Sequence, residues 1–279
     1  MTAKLCRSVI RRRSTVVGAQ GQGVRQTNPD GQRAARCLCW MLRSKRTFWV
    51  AAVLHKVLLL YTWVQNRNTR AETTVIVDFY FGVGSRYSYL AATQLGAIER
   101  ETGARFRWLA VDSPRLIAAR GDDPFAAPHG PGQYNWEYRR RDAEAWASLY
   151  GEPFREPYGR LALDAGLLSL ACTAARRLGA AETYARALYR AVFVDDLPTV
   201  DRAACIARAR EVNLDREAFD AALDDPGTWV ERERVMEEAL RRGVFGVPTF
   251  MAGERLFWGN DRLPLLRHDL LGGPASPDR

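Results

Sequence analysis

The chain has 279 residues, 47% hydrophobic and 26% charged, a balance that suits a globular protein of one large or two modest domains. Its formal net charge is +9, yet residues 1–70 hold 14 of the 41 basic residues and a single acid, Asp30, which leaves 27 bases against 31 acids in the rest. The positive excess therefore belongs to a leader, and the remainder offers no basis for a nucleic-acid groove.

Within residues 1–70, a disordered or poorly structured basic leader, residues 1–36 combine Arg, Gln, Gly, Ser and Thr with little apolar periodicity. Residues 47–64, TFWVAAVLHKVLLLYTWV, are apolar but interrupted by His55 and Lys56, which are costly at a bilayer centre. The readings are a transmembrane helix, a targeting segment, a short amphipathic helix, or translated sequence without selected structure. The last is preferred, no small-residue cleavage site follows the run, and no stable membrane insertion is expected. Of five cysteines, three lie in the leader, while Cys172 and Cys205 sit in apolar helical contexts. No pair has Cys-x-x-Cys spacing, so neither a disulfide framework nor a dithiol centre is expected, and the chain reads as belonging to a reducing compartment. Cys37-Leu-Cys39, with no matching pair, is a poor metal site.

Thr74–Phe81 is rich in β-branched and aromatic residues and has one charge, Asp78, so it reads as a strand buried on both faces. Gly82 and Gly84 break it, and Ser85 stands where a helix N-cap belongs. Leu90, Ala91, Leu95 and Ile98 then recur at helical spacing up to Thr102-Gly103. The helix N-terminus, with its free N–H groups and positive dipole end, faces the loop. A Cys-x-x-Cys placed there would have a lowered first thiol pKa. Here the four residues are Ser85-Arg86-Tyr87-Ser88, which leaves two readings: a capping serine followed by a solvated one, or a hydroxyl serving a reactive group.

ARFRWLAVD (104–112) alternates as a second strand, so strand, helix and strand imply a right-handed parallel crossover. A long loop or broken helix rich in Pro, Gly and Asp follows; its His129 is read as solvated rather than as a base. From Trp136 to Arg242 the pattern is helical, about five helices with no repeat period, one of them opened by Asp225 as cap and Pro226 in its first turn. Gly243 closes the run. Val247-Pro248-Thr249 then leads into TFMA, a Gly253-Glu254 turn and RLFW, two short hairpin strands. Asn260 or Asp261 is the N-cap candidate of a last helix with Pro264 in its first turn.

DFYF…GSRYSYLA (78–91), GVFGVPTF (243–250) and FWGNDRL (257–263) together resemble the DsbA-like thioredoxin family, in the branch of 2-hydroxychromene-2-carboxylate isomerases and kappa-class glutathione transferases. The resemblance covers about residues 74–271. It implies an α/β chain with a thioredoxin fold (71–127 and 243–273) and an inserted all-helical domain (128–242), and it implies a cis-proline loop at Pro248. It also implies bound glutathione as cofactor, with Ser85 in the catalytic position of the first redox cysteine. Val247, Pro248, Asn260 and Asp261 would bind glutathione, the aspartate at its γ-glutamyl end. In one branch the thiolate adds to a conjugated bond, lets it rotate and leaves; in the other the conjugate is released. The isomerases usually read Ser-Pro-Tyr-Ser-Tyr, whereas Arg86 replaces the proline here, and residues 111–125 show no match to the family's substrate-side lysine and asparagine. The expectation is a cytoplasmic glutathione-dependent isomerase or transferase acting on a small aromatic or conjugated electrophile, with a homodimer possible and no nucleic-acid partner. The alternatives are a DsbA-type thiol-disulfide oxidoreductase, for which positions 85 and 88 lack a cysteine, and a non-catalytic glutathione-binding module.

Overall fold

The computed structural model describes residues 74–119, 121, 135–195 and 197–273. The leader, His129 and most of the loop containing it lie outside the described residues. A compact unit runs over residues 73–279.

Strand β1 (Ile76–Phe81) begins two residues later than the sequence pattern suggests, and only Ile76 is exposed. It pairs in parallel with β2 (Arg105–Ala110), Phe79 opposite Trp108, and helix α1 (Arg86–Thr102) makes the crossover. Gly103 ends α1 in the left-handed region at φ 74°, where a side chain would be strained. The last hairpin, β5 (Thr249–Ala252) and β6 (Arg255–Trp258), completes a sheet of order β2-β1-β5-β6, with β5 antiparallel to β1.

Period-2 alternation along β1 sends its residues into two cores. Val77, Phe79 and Phe81 face α1, and Phe79 stacks on Phe250 at 5.0 Å while meeting the edge of Trp108 at 5.0 Å. Tyr80 points to the opposite face, against Leu109, Leu116, Val235 and Met236. Burying each such ring contributes about 1.5–3 kcal/mol. Asp78 shares the Tyr80 side and is paired there: Arg107 donates to it from Nε (2.5 Å) and Nη2 (2.8 Å), and Arg242 donates from Nη1 (2.5 Å). A buried carboxylate in a strand requires such partners.

The short helix α2 (Ser113–Ala118) follows β2 and is capped by Asp112, which accepts from the Arg115 amide. Among the described residues, six helices then lie between the two halves of the sheet: α3 (Trp136–Tyr150), α4 (Ala165–Arg177), α5 (Ala181–Phe193), α6 (Arg202–Glu211), α7 (Arg216–Asp224) and α8 (Pro226–Arg241). Asp164, Asp201, Asp215 and Asp225 cap α4, α6, α7 and α8 with their carboxylates. A two-residue parallel pair, β3 (Ala162–Leu163) with β4 (Thr199–Val200), was not foreshadowed, since two residues are too few to show a period. α8 carries Val235 and Met236 onto the second face of the sheet, and α4 and α5 complete the core on the first.

The last helix, α9 (Leu263–Leu270), has Pro264 in its first turn but is not capped by Asn260 or Asp261. Residues Asn260–Arg262 form a separate 3-10 turn, and Arg262 stands at the N-cap position without a side-chain cap. Among the described residues no helix is long and apolar enough to cross a membrane.

Candidate active site

The turn between β1 and α1 closes by a hydrogen bond from the Ser85 amide to the Gly82 carbonyl at 3.0 Å. Ser85 is extended (φ −87°, ψ 114°), half-buried, and accepts from the Ser88 amide at 3.2 Å. Its oxygen is thus engaged as an acceptor, while its hydroxyl proton remains available to a group at the helix end. The cap and the donor are two faces of one side chain.

Ser88 departs from the expectation of a solvated residue, for it is fully buried. The spacing carries a signal that explains this: Ser88, Ala91, Ala92 and Leu95 fall on one helical stripe, and all four are buried. The Ser88 hydroxyl lies beside that of Tyr189, though the two do not reach hydrogen-bond geometry. Burial holds the Tyr189 phenol well above its ordinary range, with Ser88 drawing it part of the way back.

The Val247–Pro248 bond is cis. A methyl carbon placed on Gly82 would sit 3.4 Å from Val247 Cγ2 and 2.5 Å from Ser113 Oγ, and one on Gly84 would sit 3.2 Å from Leu163. These close approaches gather three segments around the serine turn: the proline loop, the start of α2 and β3. Thr249 Oγ1 donates to the Gly246 carbonyl at 2.7 Å, and the Gly259 amide to the Pro248 carbonyl at 2.9 Å, which pins the loop on both sides. Among the described residues the Val247 N–H and C=O have no backbone partner. They form a short free edge of the kind to which an extended peptide adds.

Gly259, at φ 108° and ψ 155°, turns the chain into the 3-10 segment in a conformation that glycine adopts freely. Asn260 is buried and its Nδ2 makes no hydrogen bond among the described residues, whereas Asp261 is exposed, with Arg262 at 3.6 Å. Tyr150, at the end of α3, approaches both: burial raises its phenol, the Asn260 amide lowers it and the Asp261 charge raises it again. Tyr150 lies far from these residues in the chain, and no local pattern marks it.

Arg86, the first residue of α1, is 6% exposed. Its Nη1 lies 2.9 Å from Glu156 Oε2, an ion pair whose alignment falls short of a hydrogen bond. Its guanidinium stacks over Trp136 at 4.9 Å, and Trp136 stacks on Tyr158 at 4.2 Å. Desolvation lowers the Arg86 pKa, with Glu156 opposing the shift. Tyr87 donates to Asp142 at 2.8 Å, and burial with that bond raises its phenol. Cys172 and Cys205 are free and buried in the helical insert; burial pushes the Cys205 thiol up to about 11 and the Cys172 thiol well above its usual value. Neither is at the serine turn.

The DSBA-like thioredoxin domain profile matches residues 76–271. Two curated proteins named 2-hydroxychromene-2-carboxylate isomerase are each 30% identical. The one from Pseudomonas sp. (strain C18) aligns over 72% of this chain and 93% of its own, and the one from Sphingobium xenophagum over 71% and 99%. The solved structure of a 2-hydroxychromene-2-carboxylate isomerase superposes with a TM-score of 0.60 at 28% identity, covering 70% of this chain and 94% of that one.

Proposed function

Because the chain belongs to the DsbA-like thioredoxin family, we propose that it is a glutathione-dependent isomerase of the 2-hydroxychromene-2-carboxylate isomerase type, acting on a small aromatic or conjugated electrophile. The observation that carries this reading is the Ser85 hydroxyl at the N-cap of a 17-residue helix, in a turn approached by the cis-proline loop, with no cysteine at 85 or 88.

The residues present fit glutathione. The unpaired Val247 N–H and C=O suit the backbone of an extended tripeptide, the orphaned Asn260 Nδ2 has donors to give, and Asp261 offers an exposed carboxylate to an ammonium. When bound, glutathione supplies a soft nucleophile that adds reversibly to an electron-poor double bond. Ser85 then acts as a hydrogen-bond donor to a thiolate, and the first N–H groups of α1 add the field of the helix end. Both favour the ionised sulfur over the thiol. Pro248 is buried beside the Val247 edge. The buried Cys172 and Cys205 take no part, because thiols held un-ionised away from the turn neither attack nor exchange.

The test is isomerisation of 2-hydroxychromene-2-carboxylate followed by ultraviolet absorbance with and without glutathione. Turnover that requires glutathione, and that falls by about 10-fold or more in Ser85→Ala, is expected. Turnover independent of glutathione would sink the reading, while release of a stable glutathione conjugate would identify a kappa-type transferase.

A further inference from the structure

Arg86 presents an energetic anomaly beside Ser85. It is 94% buried, by the 6% exposure given above, yet its Nη1 makes no hydrogen bond among the described residues. A buried guanidinium is normally paired and hydrogen-bonded, and one left unsatisfied lowers stability. Among the described residues its counter-charge is Glu156, set against Nη1, and that carboxylate is itself shared: Glu156 Oε1 accepts from the Tyr158 amide at 3.0 Å. Arg139 brings a second positive charge close by, which further disfavours the guanidinium. The Trp136 face at 4.9 Å keeps the fork flat and in place. Because Nη1 is turned toward Glu156, the edge left over is Nε with Nη2, the two-donor edge that matches a carboxylate.

We propose that Arg86 is a specificity-determining residue which receives the carboxylate of an aromatic electrophile at the N-terminal end of α1, next to the Ser85 hydroxyl. The site would thereby select anionic aryl substrates over neutral ones of the same shape. The electrophile is taken from the function proposed above, but the test needs no turnover. Glutathione also carries carboxylates, so the measurement must separate the two sources.

Binding of trans-cinnamate and of its uncharged isostere trans-cinnamamide is measured by titration calorimetry on the full chain, with glutathione saturating. A separate titration measures glutathione alone. Wild type is expected to prefer the carboxylate by about 10–100-fold, as a charge-assisted pair implies. Arg86→Gln should bring the ratio near one, with amide and glutathione affinities unchanged, and Arg86→Lys should restore only part of it. Glu156→Gln, which removes the competing carboxylate, should raise the ratio above wild type. Equal binding of the two probes by wild type overturns the proposal, as does a preference that survives Arg86→Gln. A loss confined to glutathione in that variant assigns the contact to glutathione and overturns it too. If Arg86→Gln does not fold, Glu156→Gln decides: an unchanged or lower ratio rejects the assignment. A preserved ratio without any glutathione-dependent turnover rejects the isomerase reading and leaves Arg86 in place.

Discussion

At the scale of single residues, Ser85 caps α1 and, in the function proposed above, also donates to a thiolate, so one substitution tests both roles. A free thiol titrates near about 8.5, and each 1.36 kcal/mol of preferential stabilisation lowers that by one unit. In the proposed function a hydroxyl bond to the thiolate at about 1.5–3 kcal/mol, with about 0.3–2 from the helix end, would place the bound sulfur roughly 1–3 units lower. Ser85→Ala should abolish most of that shift, read as thiolate absorbance against pH, and should cost about 0.5–2 kcal/mol of stability as a lost cap. Ser88→Ala should leave the titration nearly unmoved, because its hydroxyl is sealed against Tyr189. The two aspartates divide differently. Asp261→Ala should weaken glutathione by about 1.5–3 kcal/mol in calorimetry without altering the melting temperature, since Asp261 is exposed and caps no helix. Asp78→Ala should take from Arg107 and Arg242 the buried carboxylate they share and lower stability by about 3 kcal/mol in denaturant melts. Equal stability losses from both would make Asp261 a structural residue.

At the scale of elements, what the sequence disclosed followed from periodicity and punctuation. β1, α1 and the β5–β6 hairpin each carry several residues of one period bounded by glycine or proline, and each lies within two residues of its expected place. The β3–β4 pair and the 3-10 turn at Asn260 carry no such signal, because their geometry comes from what they pack against. The Arg86–Glu156 contact and the approach of Tyr150 to Asn260 are likewise products of the folded insert, invisible to any local window. The serine turn is the element most tightly constrained. Gly82→Ala places a methyl 2.5 Å from Ser113 Oγ and 3.3 Å from Ser113 Cβ, an overlap that should cost about 1–3 kcal/mol and displace the turn. Gly84→Ala meets only the end of Leu163 at 3.2 Å and should be tolerated. Equal melting temperatures for the two variants would mean that the turn is softer than this packing implies.

For the whole molecule, the chemistry of the core sets an alkaline limit. Burial pushes the native Cys205 thiol up from an ordinary 9.0 to about 11, and the Cys172 thiol in the same direction. Above pH 9 the unfolded chain sheds protons that the native chain keeps, so native protein binds more protons and stability falls as pH rises. The contribution is complete below about pH 9 and is lost as pH rises from there toward the raised native value. Denaturant melts at pH 8 and 10.5 should show this decline, and Cys205→Ala should make it shallower. The described elements close their two cores within residues 73–279, so that fragment should unfold cooperatively and still bind glutathione. A fragment without a cooperative transition would make residues 1–72 part of the folding unit. The central position of β1 has a consequence for synthesis. Its final neighbour, β5, leaves the ribosome after the entire helical insert, and the Asp78–Arg242 contact alone spans 164 residues. At about 5–20 residues per second, the nascent chain carries an open, strongly apolar strand edge for on the order of ten to thirty seconds. Until β5 arrives, translation rate and chaperone access therefore bear on how much of the chain reaches the folded state.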